Sequence, residues 1–174
     1  MIEIRLHGRG GQGAVTAAEI LAVAGFLDGK MTQAFPRFGP ERRNAPVEAY
    51  CRFDDEFISL RAPIYEPDCI VVLDPGLLEL GATEGIKPNG IAVINSDKPV
   101  KINGRKVYRI DATGIATKVL GRPIVNTAML GAVARTGLVS LKSILTAISE
   151  RMPQKIVAIN QEAVKQAYDA CVVE

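Results

Sequence analysis

The stretch that decides the fold is residues 1–29, MIEIRLHGRGGQGAVTAAEILAVAGFLDG. An apolar run at Ile2, Ile4 and Leu6 predicts a β-strand, and the segment after Gly13 predicts a long helix. Between them lies a glycine cluster, the glycine loop, with the sequence Gly8-Arg9-Gly10-Gly11-Gln12-Gly13. The first N–H groups of a helix have no internal partner, and the helix dipole is positive at that end. We therefore predict a phosphate-bearing ligand at the glycine loop.

The spacing Gly8-x-Gly10-x-x-Gly13 also fits the dinucleotide-binding pattern. That pattern requires an acidic residue about 20 residues beyond the loop, at the end of the second strand, to hold a ribose. Asp28 is the only acidic residue nearby, and it falls at the end of the predicted helix, before the next strand. The sequence therefore argues against a classical NAD site. A glycine turn that only packs helix against strand is the alternative interpretation of the loop.

The composition is that of one globular domain covering residues 1–174. Hydrophobic residues make up 48% of the chain and charged residues 23%, which is typical of soluble proteins. The 21 basic and 19 acidic residues leave a net charge of +2, too balanced for electrostatic binding of nucleic acid. No apolar stretch is long enough to span a bilayer, and charged residues interrupt the first apolar run. We expect a cytoplasmic protein without a signal peptide or a membrane anchor.

The cysteine and histidine content gives no sign of a metal site. The three cysteines, Cys51, Cys69 and Cys171, lie far apart and form no C-x-x-C pair, so no zinc site or iron–sulfur cluster is predicted. His7 is the only histidine. It is expected where the first strand meets the glycine loop, a position that suits either contact with a ligand or a structural role.

Strands and helices are predicted to alternate along the chain. We predict strands near residues 2–7, 31–35, 45–53, 69–73, 91–94 and 106–110, and helices near 13–28, 76–81, 112–120, 126–136, 140–151 and 159–172. This order indicates a Rossmann-like α/β domain with a mainly parallel sheet flanked by helices. The second and third strands are exceptions, because the link between them is shorter than a parallel crossover requires. They are expected to form an antiparallel pair after the first helix.

Two segments are more apolar than the surface of a monomer usually is. Residues 14–27 contain a single charged side chain, Glu19, and residues 126–148 contain only Arg135 and Lys142. A helix that is apolar all round is normally buried, and a domain of this size can bury one such helix at its centre. We therefore expect these helices to contribute to an interface with partner subunits. The alternative is that alanine-rich faces tolerate water.

A second dense motif is the arginine-rich segment, Phe35-Pro36-Arg37-Phe38-Gly39-Pro40-Glu41-Arg42-Arg43-Asn44-Ala45-Pro46-Val47. Its prolines restrict the backbone and favour a fixed arrangement of the arginines. Arginine suits phosphates and carboxylates because its planar fork donates two parallel hydrogen bonds. We interpret Arg37, Glu41, Arg42 and Arg43 as a clamp for an anion or a partner subunit. A solvated turn with a Glu41–arginine salt bridge is the alternative.

These motifs together resemble the gamma subunits of 2-oxoacid:ferredoxin oxidoreductases. The resemblance rests on HGRGGQGAVTAAEILA (7–22), FGPERRNAPVEAYCR (38–52), DCIVVLD (68–74) and NTAMLGAVARTG (126–137). The run Glu-Arg-Arg-x-Ala-Pro-Val is similar to that of the pyruvate and branched-chain 2-oxoacid branches. Asn44 stands where glycine is more usual in the family.

The resemblance implies a multi-subunit enzyme that converts a 2-oxoacid, coenzyme A (CoA) and oxidised ferredoxin to acyl-CoA, CO2 and reduced ferredoxin. In such complexes alpha, beta and delta subunits accompany gamma, and thiamine diphosphate, Mg2+ and [4Fe-4S] clusters belong to the other subunits. It implies that the present chain holds no stable cofactor and no catalytic residue, and that it helps to bind CoA and completes the assembly. The glycine loop and the arginines are physically suited to the pyrophosphate and 3′-phosphate of CoA, and we predict that they contact it. Two alternatives remain at this point, an autonomous NAD- or FAD-binding domain and a purely structural scaffold subunit.

Overall fold

The computed structural model describes residues 1–37 and 44–174, and residues 38–43 lie outside the described part of the chain. The elements, in chain order, are β1 (Ile2–Arg9), α1 (Ala14–Leu27), β2 (Met31–Pro36), β3 (Pro46–Asp54), β4 (Cys69–Val72), a 3-10 turn (Pro75–Leu77), β5 (Ile91–Asn95), β6 (Lys106–Ile110), α2 (Ala112–Leu120), α3 (Asn126–Arg135), α4 (Leu141–Arg151), α5 (Gln154–Ala170) and β7 (Val172–Val173).

The strands form a seven-stranded sheet in the order β2-β3-β1-β4-β5-β6-β7. The central strands β1, β4, β5 and β6 are parallel to one another. Strand β3 runs antiparallel to β1 along its whole length, from Ile2 opposite Phe53 to Arg9 opposite Pro46. Strand β2 pairs antiparallel with β3, as the short link between them predicts. The α/β fold, with a sheet that is parallel in its centre, and the antiparallel pair of β2 and β3 are therefore confirmed.

The two faces of the sheet are covered differently. Helices α1 to α5 contribute to one core with the strand residues of a single face, among them Ile4, Leu6 and Val93. Helices α1 and α3 lie on the sheet, while α4 and α5 pack on α1 and α3 from outside. The opposite face carries a smaller apolar core around Ile70 and Ile94, and irregular chain supplies its cover through residues such as Leu77 and Ile102.

The structure corrects two of the predicted helices. Instead of a helix over residues 76–81, the chain makes one 3-10 turn, which the Asp74 carboxylate caps by accepting the Gly76 N–H. Further turns follow, and Gly81 has a φ of +83°, which is incompatible with a continuing helix. The last helix was placed too far along the chain, because α5 already begins at Gln154 and ends at Ala170.

The chain end forms a strand that periodicity did not reveal. Strand β7 pairs antiparallel with β6 through Tyr108 and Arg109. Glu174 fixes this pairing, since its side chain accepts a 2.8 Å hydrogen bond from Arg109 and its backbone exchanges hydrogen bonds with Val107. Two residues are too few to give an alternating pattern in the sequence. Strand β7 forms because the edge of β6 offers backbone groups for pairing.

The interface predicted for the apolar segment 126–148 is not needed to explain its composition. Every residue from Asn126 to Ala134 is buried within the chain itself. Contact with α5 is so close that a side chain at Gly131 would collide with the backbone oxygen of Val164. Helix α3 is thus the central helix of the domain, and the interpretation as a subunit interface was wrong for this helix. Helix α1 leaves Phe26 and Leu27 exposed at its end.

Candidate functional site

The glycine loop lies at the edge of the sheet where the parallel strands β1 and β4 end. Helix α1 begins at Ala14, within the range that the sequence predicts. Its N-cap, Gly13, offers no side-chain acceptor, so the first N–H groups of α1 have no partner from a cap. Gly11 has a φ of +95°, and a Cβ there would meet nothing within 4 Å. The loop therefore presents open backbone donors beside the positive end of a helix.

Two of the loop glycines permit close packing. A Cβ on Gly8 would lie 3.2 Å from the Cβ of Ala14, so glycine lets the start of α1 approach strand β1. Gly13 has a φ of +81°, and a Cβ there would come within 2.5 Å of the Nδ2 atom of Asn126. Asn126 is the first residue of α3, so the N-termini of two helices meet at the glycine loop.

The polar side chains of the loop fold back on a carboxylate that the sequence analysis did not single out. Asp74 follows β4 and accepts a 2.9 Å hydrogen bond from Nε of Arg9 through its Oδ2 atom. The same oxygen accepts a 3.3 Å bond from Nε2 of Gln12, and Oε1 of Gln12 accepts the N–H of Arg9 at 2.7 Å. Asp74 offsets the charge of Arg9, so the attraction for an anion comes mainly from backbone donors. Its position two residues after the buried strand β4 is the signal that could have revealed it.

The downstream end of the arginine-rich segment joins the glycine loop. The N–H of Gly10 donates to the oxygen of Ala45 at 2.9 Å, and Arg9 donates to the oxygen of Asn44 at 3.3 Å. Asn44 has a φ of +66°, a left-handed conformation that asparagine tolerates better than most residues. That conformation explains why this position suits glycine or asparagine. Glu41, Arg42 and Arg43 of the predicted clamp lie outside the described residues.

Arg37, the remaining member of the predicted clamp, is paired within the chain. Its Nη1 donates at 3.0 Å to Oε2 of Glu48, which also accepts the hydroxyl of Tyr50 at 2.8 Å. Together with Arg5 and His7 these side chains line a cavity of about 300 Å³, which we call the His7 pocket. The pocket opens on the sheet face opposite helices α1 to α5, because Arg5 and His7 alternate with Ile4 and Leu6 of the helix-covered face.

The His7 pocket holds a neutral histidine beside an ionised glutamate. Burial and the nearby Arg5 charge lower the pKa of His7 to about 4. Burial alone would raise the pKa of Glu48, but hydrogen bonds from Tyr50 and Arg37 outweigh it and hold that pKa below its ordinary value. Burial and the bond to Glu48 raise the pKa of Tyr50 to about 12. His7 lies within β1 rather than at its junction with the loop, since β1 extends to Arg9.

Asp28, the only candidate for a ribose-binding acid, is engaged elsewhere. Its carboxylate accepts hydrogen bonds from the N–H of Ser140 at 2.6 Å, the hydroxyl of Ser140 at 2.7 Å and the hydroxyl of Ser143 at 2.6 Å. Asp28 follows the C-terminal end of α1, whereas the glycine loop precedes its N-terminal end. A carboxylate at the opposite end of the helix cannot hold a ribose at the glycine loop. Asp28 therefore does not supply the ribose-binding acid that a dinucleotide site requires.

The cysteines are not placed for chemistry. Cys51, Cys69 and Cys171 are all buried and free. Burial raises the pKa of Cys69 to about 12 and that of Cys171 to about 11, so both are thiols at neutral pH.

Among the described residues no group of three or more His, Cys, Asp or Glu side chains could hold a metal ion. In the same part of the chain, no helix has the length and apolar character needed to cross a membrane.

The fold defines a class of protein, a Rossmann-like α/β domain with a glycine loop at the carboxyl edge of the parallel strands. The family model described as "Pyruvate ferredoxin/flavodoxin oxidoreductase" matches residues 3–170. The chain belongs to this family, and its resemblance to the gamma subunits is confirmed.

Relatives support this assignment over nearly the full length. Pyruvate synthase subunit PorC of Methanothermobacter thermautotrophicus is 56% identical over 171 residues, which cover 97% of this chain and 95% of that protein. The pyruvate/ketoisovalerate oxidoreductases common subunit gamma of Thermococcus kodakarensis is 52% identical, with 99% of this chain and 98% of that protein covered.

Solved structures share the fold. The crystal structure of pyruvate oxidoreductase subunit PORC from Thermotoga maritima matches with a TM-score of 0.88 and 38% identity, covering 99% of this chain and 98% of that one. A 2-oxoglutarate:ferredoxin oxidoreductase from Magnetococcus marinus, solved with 2-oxoglutarate, coenzyme A and succinyl-CoA bound, matches with a TM-score of 0.82 and 20% identity. This chain covers 30% of that longer one, and 97% of the present residues align.

Proposed function

We propose that this chain is the gamma subunit of a pyruvate or branched-chain 2-oxoacid:ferredoxin oxidoreductase, and that its glycine loop and arginine-rich segment bind CoA. The observation that carries the proposal is the convergence of the uncapped N-terminus of α1 with Asn44 and Ala45 at one edge of the sheet. CoA brings a pyrophosphate and a 3′-phosphate, which need several donors at once. The Magnetococcus marinus oxidoreductase, of which about 30% shares this fold, was solved with CoA and succinyl-CoA, which supports the choice of ligand.

The backbone of the glycine loop is the part suited to a phosphate. Gly11 leaves open space beside its backbone, and the first N–H groups of α1 are uncapped. The side chain of Asn126 adds a further donor next to Gly13. Arg42 and Arg43 supply the positive charge in this proposal, because Asp74 offsets that of Arg9. Arginine is suited to the task, since its fork binds phosphate oxygens in pairs.

The proposal assigns the chemistry of oxidation to other subunits. The relatives are named as single subunits of pyruvate and ketoisovalerate oxidoreductases. In the proposed complex, alpha, beta and delta subunits carry thiamine diphosphate, Mg2+ and the [4Fe-4S] clusters, and ferredoxin accepts the electrons there. The buried thiols of this chain, with raised pKa values at Cys69 and Cys171, are consistent with that division. We place the complex in the cytoplasm.

The proposal is tested by the kinetics of the assembled complex. Arg42→Ala and Arg43→Ala should each raise the KM for CoA by roughly ten- to a hundredfold, because a charge-assisted hydrogen bond to phosphate contributes about 1.5–3 kcal/mol. Arg→Lys at either position should recover only part of the loss, since lysine lacks the planar fork. Arg151→Ala is the matched control, because Arg151 is exposed on the outer helix α4. Unchanged KM values in complexes that assemble normally would refute the CoA role.

A further inference from the structure

The N-termini of α1 and α3 meet at the glycine loop, and neither N-cap residue supplies a side-chain acceptor. These N-cap residues are Gly13 and Val125. No described residue accepts a hydrogen bond from the N–H of Gly11 or of Gly13. A helix N-terminus carries roughly half a positive charge, so the two together amount to about one. The meeting point therefore offers free donors and positive potential from two directions.

The side chain of Asn126 is a buried donor without an acceptor at this meeting point. Asn126 is 7% exposed, and its Oδ1 atom accepts the N–H of Thr127 at 2.9 Å. That bond fixes which amide atom is Nδ2, and no described residue accepts a hydrogen bond from Nδ2. Nδ2 points to the N-cap of α1, since it would lie only 2.5 Å from a Cβ on Gly13. Buried amides nearly always have partners, so this one indicates a ligand beside the glycine loop.

The start of α3 holds Asn126 in a fixed position. The fully buried Thr127 donates its hydroxyl to Oδ1 of Asn160 at 2.9 Å, and Nδ2 of Asn160 donates to the backbone oxygen of Ile156 at 2.8 Å. These bonds join the first turn of α3 to α5. Asn126 is therefore preorganised, and a ligand does not have to order it on binding.

The shape of the meeting point favours the end of a ligand over its middle. Asn126 fills the space beside Gly13, whereas a Cβ on the exposed Gly11 would meet nothing within 4 Å. The pyrophosphate of CoA lies within the molecule, which continues from both of its sides. The 3′-phosphate is a terminal group with three free oxygens and about two negative charges at neutral pH. A site that is closed at Gly13 and open at Gly11 suits the terminal group.

We propose that the N-termini of α1 and α3 together bind the 3′-phosphate of CoA, and that Nδ2 of Asn126 is the side-chain donor that selects this group. The inference rests on the proposed function for the presence of CoA at the glycine loop, and it adds which phosphate lies there. Backbone N–H groups at the two helix starts bind the phosphate together with Asn126. Arg42 and Arg43 are then left to bind the pyrophosphate.

The test compares CoA with dephospho-CoA, which lacks only the 3′-phosphate. Isothermal titration calorimetry on the assembled complex, without a 2-oxoacid, measures both affinities in the absence of turnover. The wild-type complex should bind CoA roughly tenfold or more tightly than dephospho-CoA. Asn126→Asp keeps an oxygen for the Thr127 N–H but replaces the donor with a negatively charged acceptor. It should weaken CoA binding by roughly ten- to a hundredfold and leave dephospho-CoA binding nearly unchanged.

Asn103→Asp is the matched control, because it makes the same change of charge at an exposed asparagine. Asn103 precedes β6, so it lies at the amino edge of the parallel strands, opposite the glycine loop. This variant should alter neither affinity. Thermal melting of the isolated chains checks that both variants fold. Hydrogen exchange on the wild-type complex needs no variant, and CoA should protect the amides of residues 126–128 whereas dephospho-CoA should not.

The outcomes separate this site from the proposed function. Equal wild-type affinities for CoA and dephospho-CoA, equal protection of residues 126–128 by both, or an equal loss of both in Asn126→Asp would overturn the 3′-phosphate site. Unchanged CoA affinity in a folded Asn126→Asp chain would also overturn it, and weakened CoA binding by Arg42→Ala in the same assay would leave the proposed function standing. A wild-type complex that binds neither ligand would overturn the proposed function itself.

Discussion

Gly13 is the residue on which the shape of the glycine loop depends. Its φ of +81° strains any other residue, and a Cβ there would come within 2.5 Å of the Nδ2 atom of Asn126. We expect Gly13→Ala to lower the free energy of unfolding by more than about 1–2 kcal/mol, the cost of a left-handed backbone, because a collision adds to that cost. Gly11→Ala is the control, since its φ of +95° is strained but its Cβ would meet nothing. Urea denaturation of both variants measures their free energies of unfolding. Equal losses of stability in Gly13→Ala and Gly11→Ala would contradict the role of the contact with Asn126.

His7 makes stability depend on pH in a definite window. Its pKa is about 4 in the folded chain and 6.5 in the unfolded chain, so below pH 6.5 only the unfolded chain takes up the proton. The contribution of His7 to the free energy of unfolding is therefore fully present above pH 6.5. It falls as the pH is lowered towards 4, by at most about 1.4 kcal/mol per pH unit. His7 is the only histidine. Losses from Glu48 and Asp28, whose pKa values are lowered, begin only near their ordinary values of 4.5 and 3.8.

The free energy of unfolding is measured by urea denaturation at several pH values between 7 and 4.5, a range that spans the ordinary pKa of histidine. His7→Gln should flatten the slope, because glutamine can still accept from Arg5 but does not titrate. An equally steep slope in His7→Gln would show that other groups cause the dependence.

Single residues also mark the limit of prediction from sequence. The glycine loop could be predicted because its residues are neighbours in the chain. Asp74 and Asn126 could not, since each reaches the loop only through the packing of β4 and α3. Asp28 could be rejected as a ribose ligand on its position alone, and the structure adds that Ser140 and Ser143 occupy it.

At the scale of elements, Asp28 joins the C-terminal end of α1 to the N-terminal end of α4. Ser140 is the N-cap of α4, and Asp28 accepts three hydrogen bonds from this turn. We expect Asp28→Ala to lower the free energy of unfolding by about 1–2 kcal/mol, since bonds to a carboxylate exceed those to neutral acceptors. Asp97→Ala, at another exposed aspartate, should stay within about 0.5 kcal/mol. Equal losses of stability for Asp28→Ala and Asp97→Ala in chemical denaturation would show that the hydrogen bonds of Asp28 to Ser140 and Ser143 contribute nothing to stability.

Elements were predictable where local pattern and packing agree. The central strands carry apolar runs that are buried in the sheet, so β4, β5 and β6 lie close to their predicted ranges. The segment 76–81 has helix-forming residues, but Pro75, Gly76 and Gly81 limit it to a short turn. Strand β7 depends on the exposed edge of β6, a feature that exists only after the sheet has formed. Packing among α1, α3 and α5 likewise decided which apolar helix is central.

For the whole molecule, the two faces of the sheet imply a division of tasks. The helix-covered face contains the main core and gives the chain its own stability, while the His7 pocket opens on the opposite face. Composition could not predict this asymmetry, because the apolar content of α1 and α3 suggested an interface on the helices. The polar residues Arg5 and His7 in β1 were the sequence signal for the open face.

The isolated chain should be a stable folded protein without oxidoreductase activity. Its core is complete within one chain, so we expect a single cooperative melting transition. With the chemistry assigned to other subunits, pyruvate and CoA should not reduce viologen dyes or ferredoxin in its presence, and the purified chain should show no bound metal and no visible chromophore. Adding the other subunits should restore dye reduction, with this chain present in the active species. Dye reduction by the single chain would contradict the proposal that other subunits carry out the oxidation. Full activity of the other subunits without this chain would contradict its proposed role in CoA binding.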